Sequence, residues 1–438
     1  MAAERTAGRH HRRRRQITER IGRTILRTHS TVVRALGALG VAAMAVLLAA
    51  CGGGGGSSSS SSGGGGGQVA ANQVAVTVAQ GVQRVANIPT VSVTICVPGS
   101  SVCQTVDNVQ VDTESFGLRL ASSAMSQVLG SLPQEAAAGV PVAECTAFAD
   151  GHTWGSVRTA DVKIGGESAA SLPIQVIGDL SPSAVVTGGC ASGVLELTPA
   201  DLSANGILGI GVATSDCGAR CAVSPVGNSD YYACPGNTNC VQTLMPIAQQ
   251  VTNPVPKFPS DNNGIMLSMP AIGPSGQATA TGTLTFGINT QSNNALPGSA
   301  TKFTTNPYGD VNATFAGSAT TAFFDSGSNA YFFTDGTLAN CSGAASSFYC
   351  PPSTVTRTVN VASYNASTSG APGGPAVSMA VANATNLLAN GNFALDDLAG
   401  NLGGAAFVDI GMPFFYGHNV YYGLDQSGSG GAGPFVAF

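Results

Sequence analysis

Histidine and charged side chains are scarce in this chain. Asp, Glu, Lys and Arg make up only 9% of the 438 residues, and beyond residue 50 the only histidines are His152 and His418. Two histidines cannot form a three-histidine metal site, and there is no G-x-S-x-G motif of the kind that carries the nucleophile in many serine hydrolases. We therefore expect no metal and no cofactor, and we expect His418 to cap a turn.

Positive charge is concentrated at the N-terminus. Residues 1–50 contain ten arginines and two glutamates, whereas residues 51–438 contain 8 Lys and Arg against 21 Asp and Glu, a net charge of −13. Nucleic-acid binding depends on a basic surface that neutralises phosphates. The composition of residues 51–438 therefore argues against a nucleic-acid partner.

The N-terminal segment has the pattern of a bacterial export signal. The arginines precede an apolar run at Ala35–Ala50 that is short for a membrane span and typical of a signal peptide. The run ends in Leu48-Ala49-Ala50-Cys51, which resembles a lipobox. We expect a signal peptide over residues 1–51 with Cys51 lipidated. The alternative is a signal anchor in which the cysteine is incidental.

A flexible tether follows the cysteine. Gly52–Gly67 consists only of glycine and serine, a composition that forms a flexible coil and cannot bury apolar surface. We expect residues 52–72 to hold the remaining chain away from a membrane. Gly52 stands where retention signals for the bacterial inner membrane usually have aspartate, so the sequence favours the outer membrane of a Gram-negative cell.

Ten further cysteines indicate disulfides. An even number of cysteines in an exported chain predicts up to five bridges. Cys96–Cys103 and Cys341–Cys350 are the clearest pairs, because each closes a short loop. A zinc site is the rival interpretation for one cluster, although it has no C-x2-C pair. The connectivity of the others stays open: Cys145, Cys190 and the cluster Cys217, Cys221, Cys234 and Cys240.

Short alternating segments predict a mostly β protein. Stretches such as "NVQVDT", "LPIQVIGD", "GTLTFGI" and "TRTVNVASY" alternate apolar and polar residues, which places one face of a strand in a core. Helical periodicity is limited to "ASSAMSQVLGSL" at 121–132 and a short segment at 386–389. The length suits two lobes, which we place at residues 73–290 and 291–438.

Two similar aspartate turns occur, one in each predicted lobe. "NVQVDTESFGLRL" contains Asp112-Thr113-Glu114-Ser115, and "TAFFDSGSNAYFF" contains Asp325-Ser326-Gly327-Ser328. Each aspartate follows a strand-like segment. Such turns are common individually, but a pair in two halves indicates a duplicated unit with two carboxylates that could meet.

The pair and its surroundings resemble the bilobal, pepsin-like aspartic peptidases, whose catalytic dyad comes from two D-[ST]-G-[ST] loops. The resemblance covers about residues 74–438, and several further segments occur in the expected order. They are a flap-like segment at Gly151–Asp179, apolar-apolar-glycine braces in Asn205–Gly211 and Ala405–Asp425, and a lobe-junction strand at Gly282–Ile288. The whole chain also resembles a family of uncharacterised bacterial lipoproteins with this pattern.

The resemblance implies a mostly β, two-lobed fold in which Asp112 and Asp325 lie about 3–4 Å apart and share one proton. One carboxylate would then act as base on a water, and the other as acid. We expect hydroxyl groups of Thr113, Ser115, Ser326 and Ser328 to donate hydrogen bonds that fix the carboxylates. We expect Gly327 to let the two loops pack closely.

Two departures from the family pattern bear on activity. Glu114 replaces the glycine of the motif and adds bulk and a third carboxylate. The loop is then remodelled, or Glu114 points outward, or the dyad is disabled. His152 stands at the position of the flap tyrosine, and Trp154 either covers the cleft or simply packs in the core.

Two functions therefore remain open. The first is an envelope-anchored, non-catalytic protein that binds a peptide or protein ligand in its cleft or has a structural role, with the two aspartates as buried turn carboxylates. The alternative is an active aspartic endopeptidase that uses Asp112 and Asp325.

Overall fold

The computed structural model describes residues 70–149, 151–185, 193–223 and 225–438. The predicted signal peptide, Cys51, most of the tether and Cys190 lie outside these ranges. Within them the chain forms 24 strands and three short α-helices. The mostly β class predicted from the sequence is confirmed.

Fifteen strands precede or border the junction of the two predicted lobes. They are β1 (Gln73–Val78), β2 (Pro89–Cys96), β3 (Cys103–Asp112), β4 (Phe116–Ala121), β5 (Ala136–Ala137), β6 (Val140–Ala147), β7 (Gly151–Ile164), β8 (Glu167–Ile177), β9 (Val194–Leu195), β10 (Gly206–Ile210), β11 (Tyr231–Ala233), β12 (Val241–Gln242), β13 (Gly264–Ser268), β14 (Ala280–Phe286) and β15 (Lys302–Thr304).

The later strands are β16 (Val311–Phe315), β17 (Ser318–Asp325), β18 (Tyr331–Phe333), β19 (Val355–Ala362), β20 (Ala376–Val381), β21 (Ala399–Asn401), β22 (Phe407–Gly411), β23 (Asn419–Gly423) and β24 (Phe435–Ala437). The helices are α1 (Pro199–Leu202), α2 (Ala219–Ala222) and α3 (Ala384–Ala389). The predicted helical segment at 386–389 lies in α3. The segment at 121–132 forms only two 3-10 turns, Ser122–Met125 and Leu129–Ser131.

The strands form two sheets. One has 17 strands and contains β1–β15 together with β23 and β24, and the other contains the seven strands β16–β22. The last two strands return to the first sheet, because β23 pairs with β13 and β24 pairs with both β15 and β23. The C-terminal end therefore covers the edge of β13 near the lobe junction and ties the two lobes together.

Both aspartate strands have the same surroundings. Asp112 ends β3, which runs parallel to β10 with Gly209 opposite Asp112. Asp325 ends β17, which runs parallel to β22 with Gly411 opposite Asp325. A Cβ on Gly209 would lie 2.6 Å from the backbone nitrogen of Phe116, and one on Gly411 would lie 2.1 Å from the Ala330 carbonyl oxygen. The two glycines thus allow each brace strand to approach its aspartate loop closely.

The main hydrophobic core is continuous between the lobes. One cluster of buried side chains contains Val111 and Leu208 from the first aspartate strand and its brace, and Phe324 and Ile410 from the second. Tyr422 of β23 belongs to the same cluster. The base of each aspartate loop is therefore set in shared apolar packing, which limits the freedom of the loops to move independently.

Disulfides tie down short loops. Both pairs expected from spacing, Cys96–Cys103 and Cys341–Cys350, are present. The central cluster forms Cys217–Cys221 and Cys234–Cys240, and Cys145 is also disulfide-bonded. In the part of the chain that the structure describes, no helix is both long and apolar enough to span a membrane.

Candidate active site

The two aspartate loops hold their carboxylates in similar ways. Asp112 Oδ1 accepts hydrogen bonds from the backbone N–H groups of Glu114 (2.9 Å) and Ser115 (3.2 Å). Asp325 Oδ1 accepts one from the backbone N–H of Gly327 (2.7 Å). Each loop therefore folds back so that its amides face its own carboxylate, and these bonds stabilise the charged form. The loop that contains Glu114 keeps this form.

Hydroxyl groups link the loops to each other. Thr113 Oγ1 donates to the Phe324 carbonyl oxygen (3.1 Å) and accepts from the Ser326 backbone N–H (2.9 Å). Ser326 Oγ donates to the Val111 carbonyl oxygen (2.8 Å). The expectation that Thr113 and Ser326 fix the carboxylates is therefore wrong: their hydroxyl groups cross-link the backbones of the two lobes.

The other two hydroxyl groups of the motifs differ from each other. Ser328 Oγ lies 2.9 Å from Asp325 Oδ2, as expected for a group that orients this carboxylate. The Ser115 hydroxyl is buried and has no hydrogen-bond partner among the described residues. Only the backbone N–H of Ser115 contacts Asp112, which corrects the role expected for this side chain.

The structure brings Asp112 and Asp325 together at Gly327. A Cβ on this glycine would lie 2.8 Å from Asp112 Cγ, 2.9 Å from Asp112 Oδ1 and 3.0 Å from Asp325 Oδ1. Both carboxylates thus border the same point, and their Oδ1 atoms are within about 6 Å of each other, a range in which like charges interact strongly. A side chain at position 327 would displace one of them.

The ionisation of Asp325 is disfavoured by its surroundings. Its pKa lies well above the ordinary value of 3.8, because it is buried, because Asp112 is close, and because a third carboxylate, Asp409, is also close. The hydrogen bonds from Ser328 and the Gly327 amide oppose this rise. Burial and the neighbouring charges therefore favour the protonated form of Asp325.

Sequence reasoning missed Asp409. This residue lies on β22, is only 6% exposed, and its Oδ2 is 2.6 Å from Ser328 Oγ. A signal was present in the braces: the first reads Ile207-Leu208-Gly209 and the second reads Asp409-Ile410-Gly411. A carboxylate occupies a position where the duplicated element has isoleucine.

Glu114 lies against a glycine of the second lobe. A Cβ on Gly309 would lie 2.5 Å from Glu114 Oε2, and Gly309 has a φ of +94°. The loop before β16 thus passes close to the glutamate carboxylate at a residue without a side chain. Of the three alternatives for Glu114, a remodelled loop is not what the structure shows, because the amides of Glu114 and Ser115 still bond to Asp112.

The predicted flap residues are buried. His152, on β7, is 6% exposed, and it pairs with Ala147 of β6 on one side and Leu195 of β9 on the other. Trp154 is fully buried, contacts the Tyr232 ring edge-on at 5.3 Å, and donates from Nε1 to the Ser181 carbonyl oxygen (3.2 Å). Trp154 is therefore a core residue and does not cover a cleft.

A buried charge network fixes the hairpin of β6 and β7 to the first aspartate loop. Arg119 Nη2 contacts Glu144 Oε1 of β6 (2.8 Å) and Asp216 Oδ2 (3.1 Å), and Nη1 donates to the Phe116 carbonyl oxygen (2.8 Å). Tyr231 donates its hydroxyl to Asp216 Oδ1 (2.8 Å). Burial, followed by the charge of Glu144, raises the pKa of Asp216.

The remaining candidates do not form a metal centre. Ligand atoms of Cys217, Cys221 and Asp230 lie within 4.8 Å of one another, but the two sulfurs are bonded to each other and Asp230 pairs with Arg220.

His418 follows the 3-10 helix Met412–Phe415, stacks on Phe414 at 4.5 Å, and its Nδ1 is 2.6 Å from the Phe414 carbonyl oxygen. It has the turn-capping position expected from the sequence.

A known family model matches most of the chain. Among solved structures, the chain matches the aspartic proteinase from Irpex lacteus with 16% sequence identity and a TM-score of 0.45, over 84% of this chain and 97% of that chain. No curated protein matches the chain. The family model described as "Protein of unknown function (DUF3443)" matches residues 68–438. The chain therefore belongs to the DUF3443 family.

Proposed function

We propose that this protein is an aspartic peptidase in which Asp112 and Asp325 form the catalytic pair. The observation that supports this most strongly is the pairing of the two carboxylates at Gly327 by loops that Thr113 cross-links. A pair of carboxylates that only shaped two separate turns would not need to be held side by side, where their charges repel.

The environments of the two carboxylates suggest different roles. Asp112 Oδ1 accepts hydrogen bonds from two backbone N–H groups, and we assign Asp112 as the base toward a water molecule. Burial and two neighbouring carboxylates raise the pKa of Asp325, so Asp325 is the better proton donor to a peptide carbonyl. Attack of the water would place its proton on Asp112 while Asp325 gives its own proton to the carbonyl oxygen.

The position in the cell is part of the proposal. The lipobox-like sequence before Cys51 and the Gly/Ser segment after it support a lipid-anchored protein whose body projects from the bacterial envelope. Gly52 favours the outer membrane. The membrane is then a partner through the acyl chains, and a peptide or unfolded protein segment is the substrate.

A second candidate, non-catalytic binding of a peptide or protein, is favoured by Glu114. Its charge acts on Tyr422, as do the charges of Asp112 and Asp325, and a third acid in this region would hinder the ionisation that catalysis needs. The buried hairpin of β6 and β7 also differs from a free flap, because β9 and β11 pair with it. A retained cleft could then serve recognition alone.

Cleavage of an unfolded protein from pH 3 to pH 7 separates the two functions. The peptidase proposal predicts fragments with the parent protein and none with Asp325→Asn or Asp112→Asn, while all three proteins keep the same melting temperature within a few degrees. Fragments that persist in both variants would come from a contaminant. A well-folded parent that cleaves nothing across the range would favour the binding function.

A further inference from the structure

The Ser328 hydroxyl lies between two carboxyl groups of the second lobe. Ser328 Oγ lies 2.9 Å from Asp325 Oδ2 and 2.6 Å from Asp409 Oδ2. A serine hydroxyl has one hydrogen and can donate it to only one acceptor. Two ionised carboxylates cannot both be its hydrogen-bond partners. One of the two carboxyl groups must therefore carry a proton and donate it to Ser328 Oγ.

The first lobe has no equivalent chain. Ile207 occupies the position opposite Gln110 on the first brace, whereas Asp409 occupies the position opposite Phe323 on the second. The Ser115 hydroxyl, which corresponds to Ser328 in the motif, has no hydrogen-bond partner among the described residues. The duplicated framework thus differs in that a buried carboxyl group is connected to only one of the two aspartates.

We propose that Asp409 and Ser328 form a proton relay that exchanges one proton with Asp325. In one direction the Asp409 carboxyl group gives its proton to Ser328 Oγ while the Ser328 hydroxyl proton passes to Asp325 Oδ2. In the other direction both protons return. One proton and one negative charge exchange places between Asp325 and Asp409, and no other reactant is required. Asp409 is a positioning residue, since it acts through Ser328.

The titratable groups around Asp325 are consistent with one proton shared between Asp325 and Asp409. The charges of Asp112 and Asp409 act on Asp325, and the pKa of Tyr422 is raised by burial and then by the charges of Glu114, Asp325 and Asp112. Tyr331 of β18 flanks the strand of Asp409, and burial raises the pKa of its hydroxyl group above the ordinary value of 10.0, so it stays neutral at ordinary pH. The groups that ionise near Asp325 are therefore acids, and each added charge makes the next proton harder to remove.

The relay has a consequence for the working pH. If Asp112 and Asp325 were the only carboxyl groups involved, the singly protonated form of the pair would be lost when its last proton dissociates. With Asp409 in the chain, three carboxylates retain that proton, so the singly protonated form of the pair persists to higher pH. This consequence rests on the proposed peptidase function, whereas the sharing of the proton does not.

Titration of the carboxyl groups by 13C NMR tests the relay without any need for turnover. The full-length protein, with aspartate labelled at Cγ, is compared with Asp409→Asn and Ser328→Ala, and Asp325→Asn assigns the Asp325 signal. The apparent pKa of Asp325 should fall by about one pH unit in Asp409→Asn, because a neighbouring negative charge is removed. It should rise in Ser328→Ala, because a hydrogen-bond donor to the charged form is removed.

Asp397→Asn is the matched control, because Asp397 is a buried carboxyl group of the same lobe at 5% exposure, whereas the Ser328 hydroxyl bonds to Asp325 and Asp409. It should leave the Asp325 titration in place. An Asp325 signal that titrates identically in the parent and Asp409→Asn would overturn the relay even if the protein cleaves peptides. Coupled titration in a protein without cleavage would keep the relay and remove the peptidase proposal. If Asp409→Asn does not fold, Ser328→Ala decides: an unchanged or lower pKa of Asp325 contradicts the relay.

Discussion

Gly309→Ala is expected to destabilise the protein by an amount that depends on Glu114. Gly309 has a φ of +94°, and a Cβ there would lie 2.5 Å from Glu114 Oε2. The left-handed backbone alone costs a residue with a side chain about 1–2 kcal/mol. Displacing the glutamate from a buried contact adds a cost of about 1–3 kcal/mol, as for other overpacked sites.

The chain offers a control that isolates the backbone cost. Gly317, in the turn between β16 and β17, has a φ of +76°, and a Cβ there would meet nothing within 4 Å. Gly317→Ala should therefore cost only about 1–2 kcal/mol. In a Glu114→Gly background, Gly309→Ala should cost no more than Gly317→Ala, because the contact with the carboxylate is gone.

Urea unfolding at pH 7 of the parent, Glu114→Gly, Gly309→Ala, the double variant and Gly317→Ala gives the required free energies. The cycle should yield a coupling of about 1–3 kcal/mol between positions 114 and 309. Equal costs of Gly309→Ala in the presence and absence of the glutamate side chain would refute the reasoning, and would mean that Glu114 points away from Gly309 in solution.

Three further outcomes are expected. Arg119→Leu should lower the free energy of unfolding in urea by about 3–5 kcal/mol, because it leaves the buried carboxylates of Glu144 and Asp216 without their cation. A decrease below about 1 kcal/mol would contradict this expectation. Burial, then the charge of Asp396, raises the pKa of Asp397 from 3.8 to about 6. The folded protein therefore holds this proton more tightly than the unfolded chain, and its stability falls as the pH rises between these two values. The loss of stability between pH 4 and pH 7 should be smaller in Asp397→Asn. Cys51→Ala should abolish acylation detected by mass spectrometry of the membrane fraction, and an unacylated parent that retains Met1 would refute the lipobox interpretation.

The sequence was sufficient for those features that depend on local pattern. Alternating residues predicted the mostly β class, and the two D-[ST]-x-S turns identified the loops that the structure places together at Gly327. The spacing of Cys96 and Cys103, and of Cys341 and Cys350, was enough to pair them. Each of these features requires only residues near one another in the chain.

Features that depend on contacts between distant segments were not predictable. The hydroxyl of Thr113 bonds to the backbone of the other lobe, and no pattern within its own turn distinguishes this from a bond to Asp112. The contact of Glu114 with Gly309 requires the path of a loop from the second lobe. Trp154 lies in a buried cluster with Tyr232 of β11 and Leu195 of β9, and these two strands are only three and two residues long and have no clear periodicity.

The boundary between the lobes also depends on distant pairing. A division at residue 290 places β23 and β24 in the second lobe, yet both pair with strands of the first sheet. Strand segments reveal their exposure pattern but not their partners, and β13, one partner of β23, precedes it by about 150 residues in the chain.

Binding of a pepstatin-type inhibitor to the purified full-length protein tests the catalytic pair most directly. Its hydroxyl group imitates the tetrahedral intermediate and needs one protonated and one ionised carboxylate. The proposal predicts that the inhibitor raises the melting temperature of the parent at pH 4 to 5, and that the rise is absent in Asp112→Asn and Asp325→Asn. An equal rise in all three proteins, or none in a well-folded parent, would contradict the assignment of Asp112 and Asp325 as a catalytic dyad.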